Sequence, residues 1–276
     1  MEDMRSLDRI RFIVSDMDGT LLDSRGQLPA GLFQAVECLK ELGIIFAIAS
    51  GRSYPTLAWQ FEDCPCDITY ICENGANIVK EKKKIFTHGM DRQQTMFLDR
   101  FCSEIEGIYL IFSGPDHAYV KDQTPDQIKK FIDHYYKSVI CVPDAGDIPE
   151  PVCKLTIYDP IDAETHSIPR LKELKSPFRI SLDGHIWANI TLEGTGKEKG
   201  VAFIQGKYGI SEEETMIFGD YLNDREMLKK AYYSCAMANS HPDILQECRF
   251  HIPSNDEQGV MQVLDRVLAA RGVRRA

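Results

Sequence analysis

The sequence predicts an α/β fold: a doubly wound, mostly parallel sheet interrupted by an inserted α+β module. Three observations carry that expectation. Short apolar runs alternate with amphipathic helical stretches over the first eighty residues. The same alternation returns after about residue 190. Between the two, the rhythm changes to several short strands and two helices. Runs with no polar alternate suit strands covered on both faces, as a parallel sheet between helical layers requires.

In order along the chain, "IRFIV" reads as a buried strand and "PAGLFQAVECLKELG" as a helix, with Pro29 near its start and Gly43 just past its end. "IIFAIA" is a second strand, "YPTLAWQFE" a short helix and "DITYIC" a third strand. "ENGANIVKEKKKIF" is a hairpin turning near Asn74–Gly75. In the middle third, "RQQTMFLDRFCSEI" and "TPDQIKKFIDHYY" are amphipathic helices. Around them lie the strands "IYLIFS", "HAYVK", "CKLTIYD", "FRISLDG" and "IWANITL", an antiparallel set with a tight turn at "LDGH". The Pro- and Asp-rich "VPDAGDIPEPV" is a loop. The return to α/β order runs through helix "GKEKGVAFIQGKYG", strand "ETMIFGD", helix "NDREMLKKA", strand "YSCAMA", helix "HPDILQEC", strand "RFHI" and helix "GVMQVLDRVLAA". The expected organisation is therefore a core of residues 1–86 and 191–276 split by an insertion at 87–190.

Composition narrows the function. A net charge of −10 argues against a nucleic-acid partner, though not against a small anionic substrate. The start "MEDMRSLDRIRF" has no apolar leader, and the most apolar stretch, "GIIFAIA", is too short to span a bilayer, so a cytoplasmic protein with no membrane partner is expected. The nine cysteines are scattered, and "CPC" at 64–66 has neither zinc nor redox spacing, which points to reduced thiols.

Function in open α/β sheets gathers at the carboxyl ends of the strands. Here the first strand runs into Asp16-Met17-Asp18-Gly19-Thr20, the second into Ser50-Gly51-Arg52, and the strand after the insertion into Gly219-Asp220, with Asn223-Asp224 opening the next helix. Acids at the mouth of an apolar strand are costly unless a cation or a reaction uses them. Asp16 and Asp18, two apart on extended backbone, share one side. With Asp220 and Asp224 they make a hard oxygen set that suits Mg²⁺, with no His or Cys at ligand spacing. Gly19 and Gly51 allow backbone N–H groups to face an anion, and Ser50 offers a hydroxyl. "GTGKEKG" supplies a cation in Lys197 or Lys199. It is not a nucleotide P-loop, because Thr191 stands where the first glycine belongs and Glu198 where Ser/Thr is needed.

"DMDGT", a strand ending in Ser50, a lysine ahead of a helix, and "GDYLND", in that order, resemble the haloacid dehalogenase (HAD) superfamily of phosphatases. "SGR", "ENGA" and "MAN" further resemble its Cof-type subfamily, which carries a large α/β cap where the insertion lies. The resemblance implies a Rossmann-like core and a cap that selects the substrate. It implies that Asp16 is the nucleophile, forming an aspartyl-phosphate, and that Asp18 is the acid and base, oriented by Thr20. It assigns Gly19, Thr20, Ser50, Gly51, Lys199 and Asn223 to the phosphate, Lys199 because it precedes Gly200, with Lys197 the alternative. Asp16, Asp18, Asp220 and Asp224 hold Mg²⁺ in the same reading, Asp18 through its carbonyl. The implied activity is hydrolysis of a small phosphate monoester, a sugar phosphate first and a flavin or pyridoxal phosphate next. A phosphomannomutase-like phosphotransferase and a non-catalytic metal- and phosphate-binding sensor are the rivals. Monomer and homodimer are left open, as are the roles of Arg52, Asn74, Tyr221, Met237 and Asn239.

Overall fold

The computed structural model of the protein describes residues 4–274. The first α/β stretch comprises β1 (Phe12–Ser15), α1 (Leu32–Glu41), β2 (Ile45–Ala49), α2 (Tyr54–Gln60), β3 (Thr69–Cys72), β4 (Asn77–Lys80) and β5 (Lys83–Thr87). The middle third holds α3 (Arg92–Cys102), β6 (Tyr109–Ser113), β7 (Ala118–Lys121), α4 (Asp126–Ile132), β8 (Val139–Val142), β9 (Lys154–Tyr158), α5 (Ser167–Leu171), β10 (Phe178–Leu182) and β11 (Trp187–Leu192). The chain closes with α6 (Lys197–Tyr208), β12 (Thr215–Gly219), α7 (Arg225–Leu228), β13 (Tyr233–Met237), α8 (Pro242–Glu247), β14 (Phe250–Ile252) and α9 (Gly259–Ala270).

Among the described residues the strands form two sheets. The larger has the order β14-β13-β12-β1-β2-β3-β4-β5. Its strands from β14 to β3 pair in parallel and β4 turns back antiparallel on β3. Winding runs outward from β1 in both directions, so the doubly wound α/β class holds, with the reversal at β1. Phe12, Ile13 and Val14 are fully buried, as a strand between two helical layers must be. α1 packs on α9 and α6 on α7.

The smaller sheet has the order β10-β11-β9-β6-β7-β8. It is antiparallel as expected except at β7–β8, which is parallel. The reason is α4, which lies between those strands in the chain; a helical crossover returns the next strand in the same direction. One face buries Leu110, Phe112, Leu155, Ile157, Ala188 and Ile190 under α3 and α5. The other packs Ile111, Ala118 and Val120 against Ile132 of α4, bordered by Tyr158 and Trp187. α3 begins with a capping box, in which Asp91 accepts from Gln94 N and the Gln94 side chain accepts from Asp91 N.

By contacts the chain divides into two units. One takes the chain to Ser50, Asp63–Lys83 and the chain from Gly196; the other takes Gly51–Glu62 and Lys84–Thr195. Residues 51–62 join the second unit through α2. Thr56 Oγ1 donates to the Tyr135 carbonyl (3.3 Å) and accepts from Lys137 N (3.4 Å). The Lys137 ammonium sits 3.7 Å from the centre of the Trp59 ring. The cysteines are free thiols. No helix of the described residues is long and apolar enough to cross a membrane.

Candidate active site

β1 delivers Asp16 directly. Its N–H donates to the Phe218 carbonyl of β12 (3.1 Å), continuing the sheet to the point where the chain must leave it. Leaving is done in one tight loop, Met17–Leu21, closed by Leu22 N donating to the Met17 carbonyl (2.9 Å). Gly19 is indispensable to that loop for two reasons. Its φ of 78° is left-handed, and a Cβ there would lie 2.5 Å from Asp220 Oδ2. The loop is pinned from below by Asn239, whose amide donates to the Gly19 carbonyl (2.7 Å). Asn239 in turn accepts from Asn255 N (3.1 Å). This answers what the "MAN" stretch does: Asn239 supports the loop.

Buried Asp16 receives a hydrogen bond from Lys197 Nζ at 2.6 Å, and the same ammonium donates to Asp224 Oδ1 at 2.7 Å. Lys197 is 3% exposed, whereas Lys199 is exposed. Of the two lysines the sequence offered, the structure brings Lys197 to the acids and leaves Lys199 outside. Helix geometry explains the choice. Lys197, Gly200, Val201, Ile204 and Gln205 form the buried stripe of α6, at spacings of three, four, seven and eight, and Lys199 falls off it. Two glycines bring the helix in. A Cβ on Gly200 would collide with Ile71 of β3, and one on Gly75, at φ 93°, with the carbonyl of Gly196.

β12 ends in Gly219 and the half-buried Asp220. Asp224 is fully buried, and its Oδ2 accepts from the N–H groups of Asp220 (3.1 Å) and Tyr221 (3.4 Å). Thr20 Oγ1 donates to Asp220 Oδ1 at 2.9 Å. Thr20 is buried on this loop and Asp18, two positions earlier, is exposed. Ser50 is buried at the end of β2, its N–H donating to the Ile71 carbonyl (2.9 Å) and its carbonyl accepting from Asn74 N (3.0 Å). Asn74, at φ 54°, is thus a turn residue that supports Ser50. Gly51 follows in the second unit. Arg52 donates to the Gln60 side chain (2.8 Å), Asn223 is exposed, and exposed Tyr221 stacks edge-on with His241. Met237 is fully buried at the end of β13.

Among the described residues, Asp16, Asp220 and Asp224 bring carboxylate oxygens within 4.8 Å of one another. Burial, then the charge of Asp224, pushes Asp16 up to about 7 against the pull of Lys197. Burial likewise lifts Asp220 to about 6, opposed by the Thr20 hydroxyl and reinforced by Asp224. Lys197 is held above its usual value: burial works against its charge, but Asp16 and Asp224 more than offset it. The cluster thus concentrates more negative charge than the ammonium neutralises. An all-oxygen donor set with surplus charge fits a hard divalent cation.

A model of the haloacid dehalogenase-like hydrolases matches residues 13–264. The chain belongs to that family. Among its relatives, the 5-amino-6-(5-phospho-D-ribitylamino)uracil phosphatase YbjI of Escherichia coli K12 is 28% identical over 269 residues, covering 94% of this chain and 96% of its own. SMU.1108c of Streptococcus mutans UA159 superposes with a TM-score of 0.81 at 29% identity, over 94% of this chain and 99% of its own. The HAD subclass IIB sugar phosphatase BT4131 gives 0.73 at 25% identity, over 93% and 98%. Its homologues are thus HAD phosphatases of small phosphorylated metabolites. Phosphatases of this superfamily use a divalent metal, and the acidic cluster of this HAD-like hydrolase is where one would be held.

Proposed function

We propose that this HAD-like hydrolase is a Mg²⁺-dependent cytoplasmic phosphomonoesterase whose favoured substrates carry phosphate on a sugar or sugar-alcohol chain. The observation that carries this reading is Asp16, buried at the end of the central strand and held by Lys197, with Asp220 and Asp224 beside it. The substrate class is supported by two relatives, one named for a phosphoribityl ester and the other a sugar phosphatase. Flavin and pyridoxal phosphates come next. The inserted unit, 87–190 by sequence, is proposed to select the leaving group.

In the first half-reaction a carboxylate oxygen of Asp16 bonds to phosphorus as the ester P–O bond breaks, and Asp18 gives its proton to the departing alkoxide. In the second, Asp18 takes a proton from water as the water oxygen bonds to phosphorus, releasing phosphate and restoring Asp16. Lys197 holds Asp16 in place and offsets the charge on the phosphoryl oxygens, the role first given to Lys199. The Ser50 hydroxyl, the N–H groups of Gly19, Thr20 and Gly51, and the Asn223 amide are donors for the same oxygens. Asp224 fixes Lys197 and the Asp220 turn. Held by Asp16, the Asp18 carbonyl, Asp220 and Asp224, Mg²⁺ would supply Lewis-acid neutralisation of the phosphoryl charge.

The test is a panel of sugar, sugar-alcohol, flavin and pyridoxal phosphates assayed for phosphate release with Mg²⁺ and with EDTA. Release with Mg²⁺ that EDTA removes is the expected result. Activity indifferent to EDTA, isomerised sugar phosphate without free phosphate, or phosphate binding without turnover would each overturn the reading.

A further inference from the structure

Lys154 opens β9, and the residue is 6% exposed. Buried lysines are rare, because the ammonium loses its hydration, so a fold that keeps one gives it a task. Its Nζ donates to the carbonyl of Gly51 at 2.8 Å, across 103 residues of sequence. Gly51 is the residue after Ser50, the hydroxyl at the end of β2.

That carbonyl is a handle on the turn. In a trans peptide the C=O and the following N–H point in opposite directions, and the cis bond among the described residues is Ser176–Pro177. The Ser50 carbonyl accepts from Asn74 N, so the Gly51 N–H is aimed the other way. The Gly51 carbonyl accepts from Lys154, so the Arg52 N–H is aimed away from Lys154. Lys154 thereby sets the second peptide plane of the turn, as Asn74 sets the first. Anchoring α2 does not require it: Thr56 does that through Tyr135 and Lys137. Ser113 lies directly across β6 from Lys154, fully buried, its hydroxyl with no hydrogen-bond partner.

We propose that Lys154 is a positioning residue for phosphoryl binding: it orients the Ser50–Gly51–Arg52 backbone so that the turn presents its donors to the substrate phosphate. The inference rests on the phosphatase reading for its substrate, but its test has a readout of its own. Lys154→Met and Lys154→Arg would be compared with wild type by titration with inorganic phosphate and by hydrolysis of p-nitrophenyl phosphate. Lys154→Met is expected to weaken phosphate binding about tenfold and to lower kcat/KM by a similar or larger factor, with Lys154→Arg recovering part of both. In a Ser50→Ala background, Lys154→Met is expected to add less than threefold, because the two act on one turn. A purely structural lysine would lower Tm and leave the phosphate affinity of the folded protein unchanged. Wild-type phosphate affinity in Lys154→Met, or losses that multiply fully with Ser50→Ala, would overturn the proposal. Wild-type protein that binds phosphate but cleaves no ester, with binding weakened in Lys154→Met, would sink the hydrolase reading and keep this one.

Discussion

Asp16 and Asp159 are both buried carboxylates, one in each unit, and their surroundings push them in opposite directions. Asp159, just beyond β9, is fully buried, and burial alone would raise it. It nevertheless lies below the usual range, because Ser167 N (3.1 Å), the His166 ring (3.0 Å) and Ile161 N (3.1 Å) all bond to it. Asp16 is also bonded, by Lys197, yet burial and the neighbouring Asp224 hold it near 7. A satisfied buried acid stabilises the fold that surrounds it. An over-charged one is kept for a partner that arrives later, under the proposed function a metal ion and a phosphoryl group.

Asp16→Asn strains that contrast most. Phosphate release should fall below about a thousandth of wild type, while Tm does not drop, since a neutral amide removes the repulsion from Asp224. Wild-type-like turnover in a pure sample, or a large fall in Tm, would mean that Asp16 is a structural acid like Asp159. Lys197→Met comes second. Leaving two buried acids without their ammonium should cost about 3 kcal/mol of stability at neutral pH and about a hundredfold in kcat, both read on one preparation by urea unfolding and initial rates. Lys199→Met, measured alongside, should stay within about twofold of wild type in rate. Equal losses in both variants would overturn the choice of Lys197 over Lys199.

Asp159→Asn is the smallest effect and the cleanest control. It should leave kcat alone and destabilise by about 1–3 kcal/mol. The sign of its pH dependence follows from the depressed value. The contribution of Asp159 is complete above its unfolded value, about 3.9, and is lost as pH falls through the lower folded one. Wild type and variant should therefore differ in urea midpoint at pH 7 and converge in acid. A gap that widens in acid would contradict the assignment.

The core was the most legible part of the sequence. "GVMQVLDRVLAA" matches α9 residue for residue, and the strand ends carrying Asp16, Ser50 and Asp220 lie where apolar runs give way to Gly-containing turns. Lys197 was legible too, by counting four back from Val201 and seven from Ile204, but the family resemblance pointed to the lysine next to Gly200. β8 was not anticipated, since "VICV" is too short to declare itself and is a strand by virtue of β7 beside it. α5 was missed for another reason: five residues with Pro169 among them offer no helical period, and the helix rests on burying Ile168 and Leu171. The bond from Thr20 to Asp220 was not anticipated, because loop direction is set by the left-handed Gly19 and the sequence does not say where such a turn aims its neighbours.

The ion pair between Lys197 and Asp16 spans 181 positions of sequence, and that distance has a temporal side. Synthesis delivers Asp16 before the inserted unit and its ammonium only after the whole of it. Until Lys197 arrives, the central strand ends in an acid whose counter-charge has not been made. The core unit is thus completed from its far end, and a chain truncated anywhere before Lys197 carries Asp16 and lacks the residue that holds it.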